Sequence, residues 1–138
     1  MSVYSERDQG ERDSQQQLAR IRAAYFADPA CRLQLVRGAT LLDQDEANHR
    51  LYLLLSGEII GYRRYQQQGE EPSFIEVFRS HDGAFIGLQS FFSGSFTSSS
   101  RLIAAADCEL AYIERGVAAV EPQRWGSLAE QFMPLLVH

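Results

Sequence analysis

Residues 83–101 of the chain read Gly83-Ala-Phe-Ile-Gly-Leu-Gln-Ser-Phe-Phe-Ser-Gly-Ser-Phe-Thr-Ser-Ser-Ser-Arg101. Gly83 and Gly87 allow the backbone to turn sharply into a short helix, because glycine adopts conformations that strain other residues. The free amides at the start of such a helix can face an anion. The second half of the stretch is rich in hydroxyl groups and follows two phenylalanines. This combination predicts a loop with a binding role, carried by a scaffold that the rest of the chain supplies.

Short apolar runs separated by turn residues surround this loop. They lie at Leu33 to Val36, Leu51 to Leu55, Ile59 to Tyr65, Phe74 to Phe78, Leu102 to Ala106 and Leu110 to Ile113. Several short strands at this spacing predict an all-β sandwich or roll. We expect a tight hairpin at Ser56-Gly57, between two of the runs. The Phe74 to Phe78 run has apolar residues on both faces, so we expect that strand to be largely covered.

The N-terminal part of the chain predicts a flexible segment followed by a helix. Met1 to Asp13 is polar and charged, as frayed termini are. Ser14 and Gln17 have the spacing of a capping box, which marks the start of a helix. Apolar residues then recur at helical intervals, at Leu18, Ile21 and Tyr25. Asp28-Pro29 should end the helix, because the residue before proline is pushed out of the helical region.

The C-terminal part predicts a second helical region. Pro122 suits the first turn of a helix, where proline removes no needed donor. One apolar face follows it, formed by Trp125, Leu128, Phe132 and Leu135. Packing against the rest of the domain and a role in dimerisation or signal transmission both remain open. Because this stripe runs to His138 without a cap, we expect residues 14–138 to be one domain whose last helix belongs to a larger protein.

Composition limits the classes of function. The 138 residues carry a net charge of -5, which disfavours a nucleic-acid surface, since phosphate binding needs a basic stripe. The apolar runs are far shorter than the roughly 18 residues that span a bilayer, and the first residues lack the apolar core of a secretory signal. Cys31 and Cys108 are isolated, as buried or half-buried thiols in a reducing compartment are. We therefore expect a cytoplasmic protein without membrane or nucleic-acid contact.

No metal, cofactor or catalytic constellation is visible in the sequence. His49, His81 and His138 are scattered and have no second ligand at a metal-binding spacing. Asp43 to Glu46 is an acidic group on a predicted turn, where acids cap free amides and face water. Neither a nucleophile elbow nor a Walker loop occurs. We expect no cofactor and no enzyme activity within this chain.

Placed end to end, these elements resemble the cyclic nucleotide-binding domain family over roughly Gln17 to Leu136. The resemblance is carried by Gly38 before Thr40-Leu-Leu42, by Leu51-Tyr-Leu-Leu-Leu-Ser-Gly57 followed by Glu58-Ile-Ile60, by Gly83-Ala-Phe-Ile-Gly87, and by a last strand pair over Ala104 to Ile113. It implies a mainly β fold. The expected architecture is a jelly roll, or double-stranded β-helix, with an N-terminal helix and C-terminal helices.

The resemblance also implies a ligand-binding cassette, at Phe85, Gly87, Leu88, Gln89, Ser98, Ser99 and Ser100. In the family a glutamate after the second glycine accepts a hydrogen bond from the ribose, and an arginine about ten residues later pairs with the cyclic phosphate. Here these two positions are Leu88 and Ser98. Losing two contacts of about 2–3 kcal/mol each weakens binding roughly a thousandfold or more. Ordinary cyclic AMP binding is therefore expected to be lost.

Arg101 is not expected to replace the missing arginine unless a bulge in its strand turns it to the cassette face. It lies three residues after Ser98, and an odd offset along a strand points a side chain to the opposite face. The hydroxyl-rich rim leaves three interpretations open: a neutral pocket for a different small molecule, a loop that no longer binds one, or weak nucleotide binding.

These observations favour a regulatory sensor module of a larger bacterial signalling protein. The module would bind an unknown small molecule or none, and its C-terminal helix could form a homodimer. Its output could be a helix-turn-helix domain, a histidine kinase or another effector. The alternative from another class is a scaffold for interaction or dimerisation.

Overall fold

The computed structural model describes residues 15–16, 19–88 and 97–115. Helix α1 (residues 15–16 and 19–25) comes first in this part of the chain. It is followed by the strands β1 (Arg32–Leu35), β2 (Thr40–Leu42), β3 (Arg50–Ser56), β4 (Ile59–Tyr65), β5 (Ser73–Ser80), β6 (Phe85–Ile86), β7 (Arg101–Ala104) and β8 (Cys108–Glu114). No helix among the described residues is long and apolar enough to cross a membrane.

The strands form two antiparallel sheets of four strands each. The first sheet has the order β1-β8-β3-β6, and the second has the order β2-β7-β4-β5. Strands that follow one another in sequence, such as β1 and β2 or β3 and β4, lie in different sheets, so the chain wraps from one sheet to the other. This arrangement confirms the mainly β roll that the sequence predicted. The predicted C-terminal helices, with Trp125, Leu128, Phe132 and Leu135, lie outside the described residues.

Two apolar layers hold the fold together. The layer between the sheets contains the buried side chains of Leu42, Tyr52, Leu54, Ile59, Ile86, Leu102, Ala104, Cys108 and Leu110. The layer between the first sheet and α1 contains Ile21, Phe26, Leu51, Leu53 and Ala111, and is called the α1 cluster below. Burying apolar surface is the main favourable term in folding, and β3 contributes side chains to both layers.

The predicted hairpin at Ser56-Gly57 is wrong. Strand β3 pairs with β8 and β6, whereas β4 pairs with β5 and β7, so this turn carries the chain between the two sheets. The last two predicted strands are present as β7 and β8, and they too lie in different sheets. Glycine is needed at the turn all the same: Gly57 has a φ of 113°.

The expectation that the Phe74 to Phe78 strand is covered is also wrong for the described part of the chain. Ile75 is 53% exposed and Val77 is 43% exposed. The reason is the position of β5 at the edge of the second sheet, where it pairs with β4 alone.

Helix α1 confirms the predicted apolar face where it is described. Ile21 is fully buried and Tyr25 is half-buried, while Ser14, Gln17 and Leu18 lie outside the described residues. The helix ends at Tyr25, three residues before the predicted stop at Asp28. The two free thiols match their prediction, since Cys31 is half-buried and Cys108 is buried.

Gly57 offers a test of the connection between the sheets, with Gly69 as its control. Both residues have a positive φ, so alanine costs about 1–2 kcal/mol at either position. A Cβ at Gly57 would lie 2.6 Å from Cys108 Sγ and 2.7 Å from the Asp107 carbonyl oxygen, whereas nothing lies within 4 Å at Gly69. Urea unfolding should show Gly57→Ala to be more destabilising than Gly69→Ala by about 1–3 kcal/mol. Equal losses would contradict this packing of the Gly57 turn against Asp107 and the start of β8.

Candidate functional site

The loop predicted to bind a ligand begins at a turn that α1 holds in place. The Gly83 amide donates to the Leu54 carbonyl at 2.7 Å, and the Leu54 amide donates to the Ala84 carbonyl at 2.9 Å. Arg22 of α1 donates from Nη2 to the Gly83 carbonyl at 3.1 Å. Gly83 has a φ of 91° and Gly87 a φ of 90°, which explains the need for glycine at both ends of β6.

Leu88 faces the α1 cluster. Its side chain packs against the buried residues of that cluster, as does Phe85, whose ring centroid lies 5.6 Å from that of Phe26. Leu88 directly follows Gly87 and has a helical conformation. The position at which the resemblance places a ribose-binding acid is thus occupied by an apolar packing residue.

Ser98 is buried and its hydroxyl group is used within the loop. Only 8% of the residue is exposed, and its Oγ donates to the Ser100 carbonyl at 2.6 Å. The backbone of Ser98 is held on both sides: the Asp45 amide donates to its carbonyl, and its own amide donates to the Glu46 carbonyl. Ser100 is also buried, whereas Ser99 is exposed. A hydroxyl that donates within the loop offers no charge to a phosphate.

The acidic turn at residues 43–46 serves the structure as the sequence predicted. The Glu46 carboxylate accepts a hydrogen bond from the Asp43 amide at 2.7 Å, so this acid caps a free backbone donor. Asp45 adopts a φ of 67°, a conformation that aspartate tolerates better than most residues. This turn is also the partner of Ser98, so it fixes the far end of the loop.

Arg101 lies on the face of β7 opposite to the buried Leu102. Its Nε donates to Asp43 Oδ1 at 2.9 Å, and its guanidinium carbon lies 4.2 Å from the centre of the Phe74 ring. The Arg101 guanidinium, together with the Gln44 amide, holds the pKa of the Asp43 carboxyl below its ordinary value. This geometry supports the prediction that Arg101 does not act as the cassette arginine.

A charged group on the first sheet was not predicted from the sequence. Arg50 on β3 pairs with Glu114 on β8 at 2.9 Å, and its guanidinium carbon lies 4.2 Å from the centre of the Tyr112 ring. Tyr112 lies opposite Tyr52, and burial raises the pKa of Tyr52. The apolar alternation of β3 and β8 gave no signal for this pair, because the register between strands far apart in sequence is not a local property.

The remaining predicted residues are not brought to a common site. Gln89 lies outside the described residues, as do Phe91, Phe92 and Phe96. His49 and His81 belong to no group of possible metal ligands in the part of the chain that the structure describes. The described cassette therefore consists of a glycine frame, an apolar contact at Leu88 and an internally bonded Ser98.

Comparisons with known proteins give a family match and several similar structures. The model of the cyclic nucleotide-binding domain matches residues 32–119. A search of the curated proteins finds no match to the sequence.

Three solved structures illustrate the likeness of fold. The Thermus thermophilus catabolite activator protein has a TM-score of 0.63 at 21% identity, covering 91% of this chain and 53% of that chain. The c-di-GMP responsive global regulator CLP of Xanthomonas campestris has a TM-score of 0.60 at 16% identity, over 91% of this chain and 54% of that chain. The regulatory domain of Toxoplasma gondii PKA, crystallised with cAMP, has a TM-score of 0.60 at 16% identity, covering 94% of this chain and 52% of that chain. The chain spans about half the length of each.

Leu88→Glu tests whether Leu88 is a packing residue. A carboxyl group placed against the α1 cluster loses water without gaining a partner, so we expect a loss of about 1–3 kcal/mol in the free energy of unfolding. Leu88→Met preserves volume and apolarity and should cost less than about 1.5 kcal/mol. Urea unfolding of both variants measures the difference. A neutral effect of the glutamate would mean that Leu88 faces water.

Arg101→Gln tests the pairing with Asp43. Because the folded-state pKa of Asp43 is depressed, the pair stabilises the fold above the ordinary carboxyl pKa of about 4 and loses this effect as pH falls through the folded value. Removing Arg101 should raise the pKa of Asp43, as followed by NMR titration of its carboxyl carbon. Arg64→Gln is the control with a smaller rise, since Arg64 acts on Asp43 through charge alone. An unchanged pKa in Arg101→Gln would refute the pairing.

Proposed function

Because the chain belongs to the cyclic nucleotide-binding domain family, we propose that it is the regulatory module of a larger signalling protein in which ordinary cyclic AMP binding is lost. The observation that carries this proposal is the state of two cassette positions. Leu88 packs against the α1 cluster, and the buried Ser98 hydroxyl is bonded to the Ser100 carbonyl. Neither side chain offers a ribose acceptor or a phosphate-binding charge.

The surroundings of the cassette support the same conclusion. A buried phosphate needs a paired cation, because removing a charge from water without a partner is costly. Arg101, the nearest arginine in sequence, is engaged with Asp43 and Phe74 on the other face of β7. An anion held by the backbone amides after Gly87 alone would bind much more weakly than one that also meets a guanidinium.

In the described part of the chain, several polar side chains have structural partners, which fits a regulatory role better than a catalytic one. Glu46 caps a backbone amide, and Asp43 and Glu114 are held in ion pairs. Side chains committed in this way are not poised to transfer protons. We place this role in the cytoplasm, without contact between this chain and nucleic acid.

The output of the module is proposed to pass through its C-terminal region. The sequence stripe of Trp125, Leu128, Phe132 and Leu135 predicts a helix with one apolar face. We propose that residues 14–138 form one unit whose last helix shifts, or pairs with a second copy, when the cassette is occupied or contacted. An effector of the larger protein would read that shift.

A scaffold for interaction is the second candidate, and one observation favours it. Strand β5 exposes Ile75 and Val77 at the edge of the second sheet, and exposed apolar groups mark surfaces that other molecules contact. A scaffold would show association that depends on protein concentration and is indifferent to small molecules. A sensor would show a ligand-dependent change at fixed protein concentration.

Calorimetric titration with cyclic AMP, cyclic GMP and cyclic di-GMP tests the proposed loss. We expect no cyclic AMP binding at micromolar concentrations, since two missing contacts weaken it by roughly a thousandfold or more. Micromolar cyclic AMP binding would refute the claim that Leu88 and Ser98 abolish it.

The double variant Leu88→Glu with Ser98→Arg is the matching gain-of-function arm. It should acquire measurable cyclic nucleotide affinity, provided that circular dichroism shows a folded protein. Leu88→Glu with Ser99→Arg, which moves the arginine to the neighbouring exposed serine, serves as control and should gain none. No gain in the folded Ser98 variant would mean that the assigned register of the cassette is wrong, or that its geometry has changed.

A further inference from the structure

The outer edge of β5 exposes backbone groups whose positions follow from the pairing of β4. The Ala105 amide donates to the Glu58 carbonyl at 2.9 Å, so these two residues form a hydrogen-bonded pair. Every second residue of β4 then points its backbone groups at β7, which directs those of Tyr62 and Arg64 away from β5. The Arg64 amide agrees with this assignment, since it donates to Gln44 Oε1 at 2.6 Å.

Phe74 and Glu76 therefore carry the free backbone groups of this edge. They lie opposite Arg64 and Tyr62 in the β4–β5 ladder. In an antiparallel pair, two opposite residues either exchange their hydrogen bonds or both point away from each other. The N–H and C=O groups of Phe74 and Glu76 thus point away from β4, and β5 has no other strand partner in the described part of the chain.

The part of this edge that can pair is short and has definite ends. Pro72, which has no N–H group, directly precedes the strand. On the other side, the register shift between Gly61 and Tyr62 leaves Val77 with no partner on β4, so β5 is bulged there. A bulge turns an edge strand away from pairing, so residues 74–76 are the segment that can bind another strand.

This short segment is complementary to itself. When Ile75 lies on a two-fold axis, Phe74 of one copy is opposite Glu76 of the second copy, and exposed backbone groups meet exposed backbone groups. An axis at Glu76 would instead place two carboxylates opposite each other. An axis at Phe74 would place Glu76 opposite Pro72, which lacks a donor. The axis at Ile75 also buries this side chain, now 53% exposed, against its own copy.

Charges on the outer face of the second sheet favour the same arrangement. In the part of the chain that the structure describes, Arg64 forms no ion pair, and its charge acts on Asp43 only at a distance. Glu76 is paired with Arg79, which keeps Glu58 as a second carboxylate partner. With the axis described above, Arg64 of one copy and Glu76 of the other are about 10 Å apart at the backbone, a gap that their side chains span.

We propose that two copies of this chain pair in antiparallel orientation through the free edges of β5, with the two-fold axis at Ile75. Phe74 of each copy exchanges backbone hydrogen bonds with Glu76 of the other, and Arg64 pairs with the same glutamate. The two second sheets then form one continuous sheet. Because the paired segment is short, the interface is smaller than that of a stable dimer, and we expect a dissociation constant on the order of 0.1 mM.

This pairing goes beyond the proposed sensor role, because it involves neither the cassette nor the C-terminal region. It gives the second candidate function, the interaction scaffold, a specific partner. The association is a property of the second sheet alone.

Disulfide trapping in the whole chain tests the position of the axis. In a Cys31→Ser background, which leaves the buried Cys108, Ile75→Cys places a thiol opposite its own copy. Opposite residues of this kind of pair lie about 4.5 Å apart at Cα, within the range of a disulfide. Val77→Cys is the matched control, since Val77 is 43% exposed on the same strand but does not meet itself. With oxidised glutathione, Ile75→Cys should form a covalent dimer at least about tenfold faster than Val77→Cys. Equal rates overturn the proposal.

Charge variants test the pairing of Arg64 with Glu76 by sedimentation from about 10 μM to 1 mM. Arg64→Glu should weaken dimerisation about tenfold or more, because it opposes two carboxylates twice about the axis. Arg63→Glu makes the same change in net charge on the other face of β4 and should change dimerisation less than about twofold. The double variant Arg64→Glu with Glu76→Arg restores opposite charges and should recover most of the affinity. Equal effects of the two single variants, or no recovery in a double variant that circular dichroism shows to be folded, overturn the pairing.

The same measurements separate this interface from the proposed function. A dimer that Arg64→Glu leaves intact, and that traps both cysteines equally, is held by another surface; this overturns the β5 pairing and leaves the sensor proposal standing. A chain that is monomeric at about 1 mM overturns the pairing outright. Micromolar cyclic AMP binding, in contrast, refutes the proposed loss of binding and has no bearing on dimerisation through β5.

Discussion

Strand β3 is buried on both of its faces, and the rest of the structure depends on that constraint. Tyr52 and Leu54 point into the layer between the sheets, and Leu51 and Leu53 point into the α1 cluster. A strand with alternating apolar and polar residues fits a sheet with one solvent-exposed face. Four consecutive buried residues require a packing layer on each side of the sheet. The second sheet and α1 supply these two layers.

The same constraint explains which parts of the fold were predictable. The runs at β3 and β4 were predicted to within one residue at each end, because apolar runs are a local property of the sequence. The turn at Gly57 was misread, since a hairpin and a sheet-to-sheet connection both call for a glycine with a positive φ. Partner strands are decided by distant residues. Strand β5 was misread for a related reason, because apolar residues on both faces do not reveal that a strand lies at an edge.

The candidate site was also predictable only in part. The spacing between the glycine frame and the serine run was enough to locate Leu88 and Ser98, and to notice the missing charges. What the two residues do instead depends on contacts across the fold. Leu88 reaches a helix more than sixty positions earlier, and Arg101 pairs with Asp43 from a distant turn. No local pattern in the sequence predicts such partners, so the contacts of Leu88 and Arg101 become visible only in three dimensions.

Helix α1 and the entrance of the loop share their contacts, and this makes them energetically one unit. Arg22 holds the Gly83 carbonyl, Phe26 meets Phe85, and Leu88 closes the same apolar cluster. An event that displaces Leu88 removes one of the contacts of the α1 cluster, and coupling between two parts of a protein is reciprocal in free energy. A change in the position of α1 therefore alters the stability of the loop entrance. By the same coupling free energy, a molecule bound in the loop alters the stability of α1.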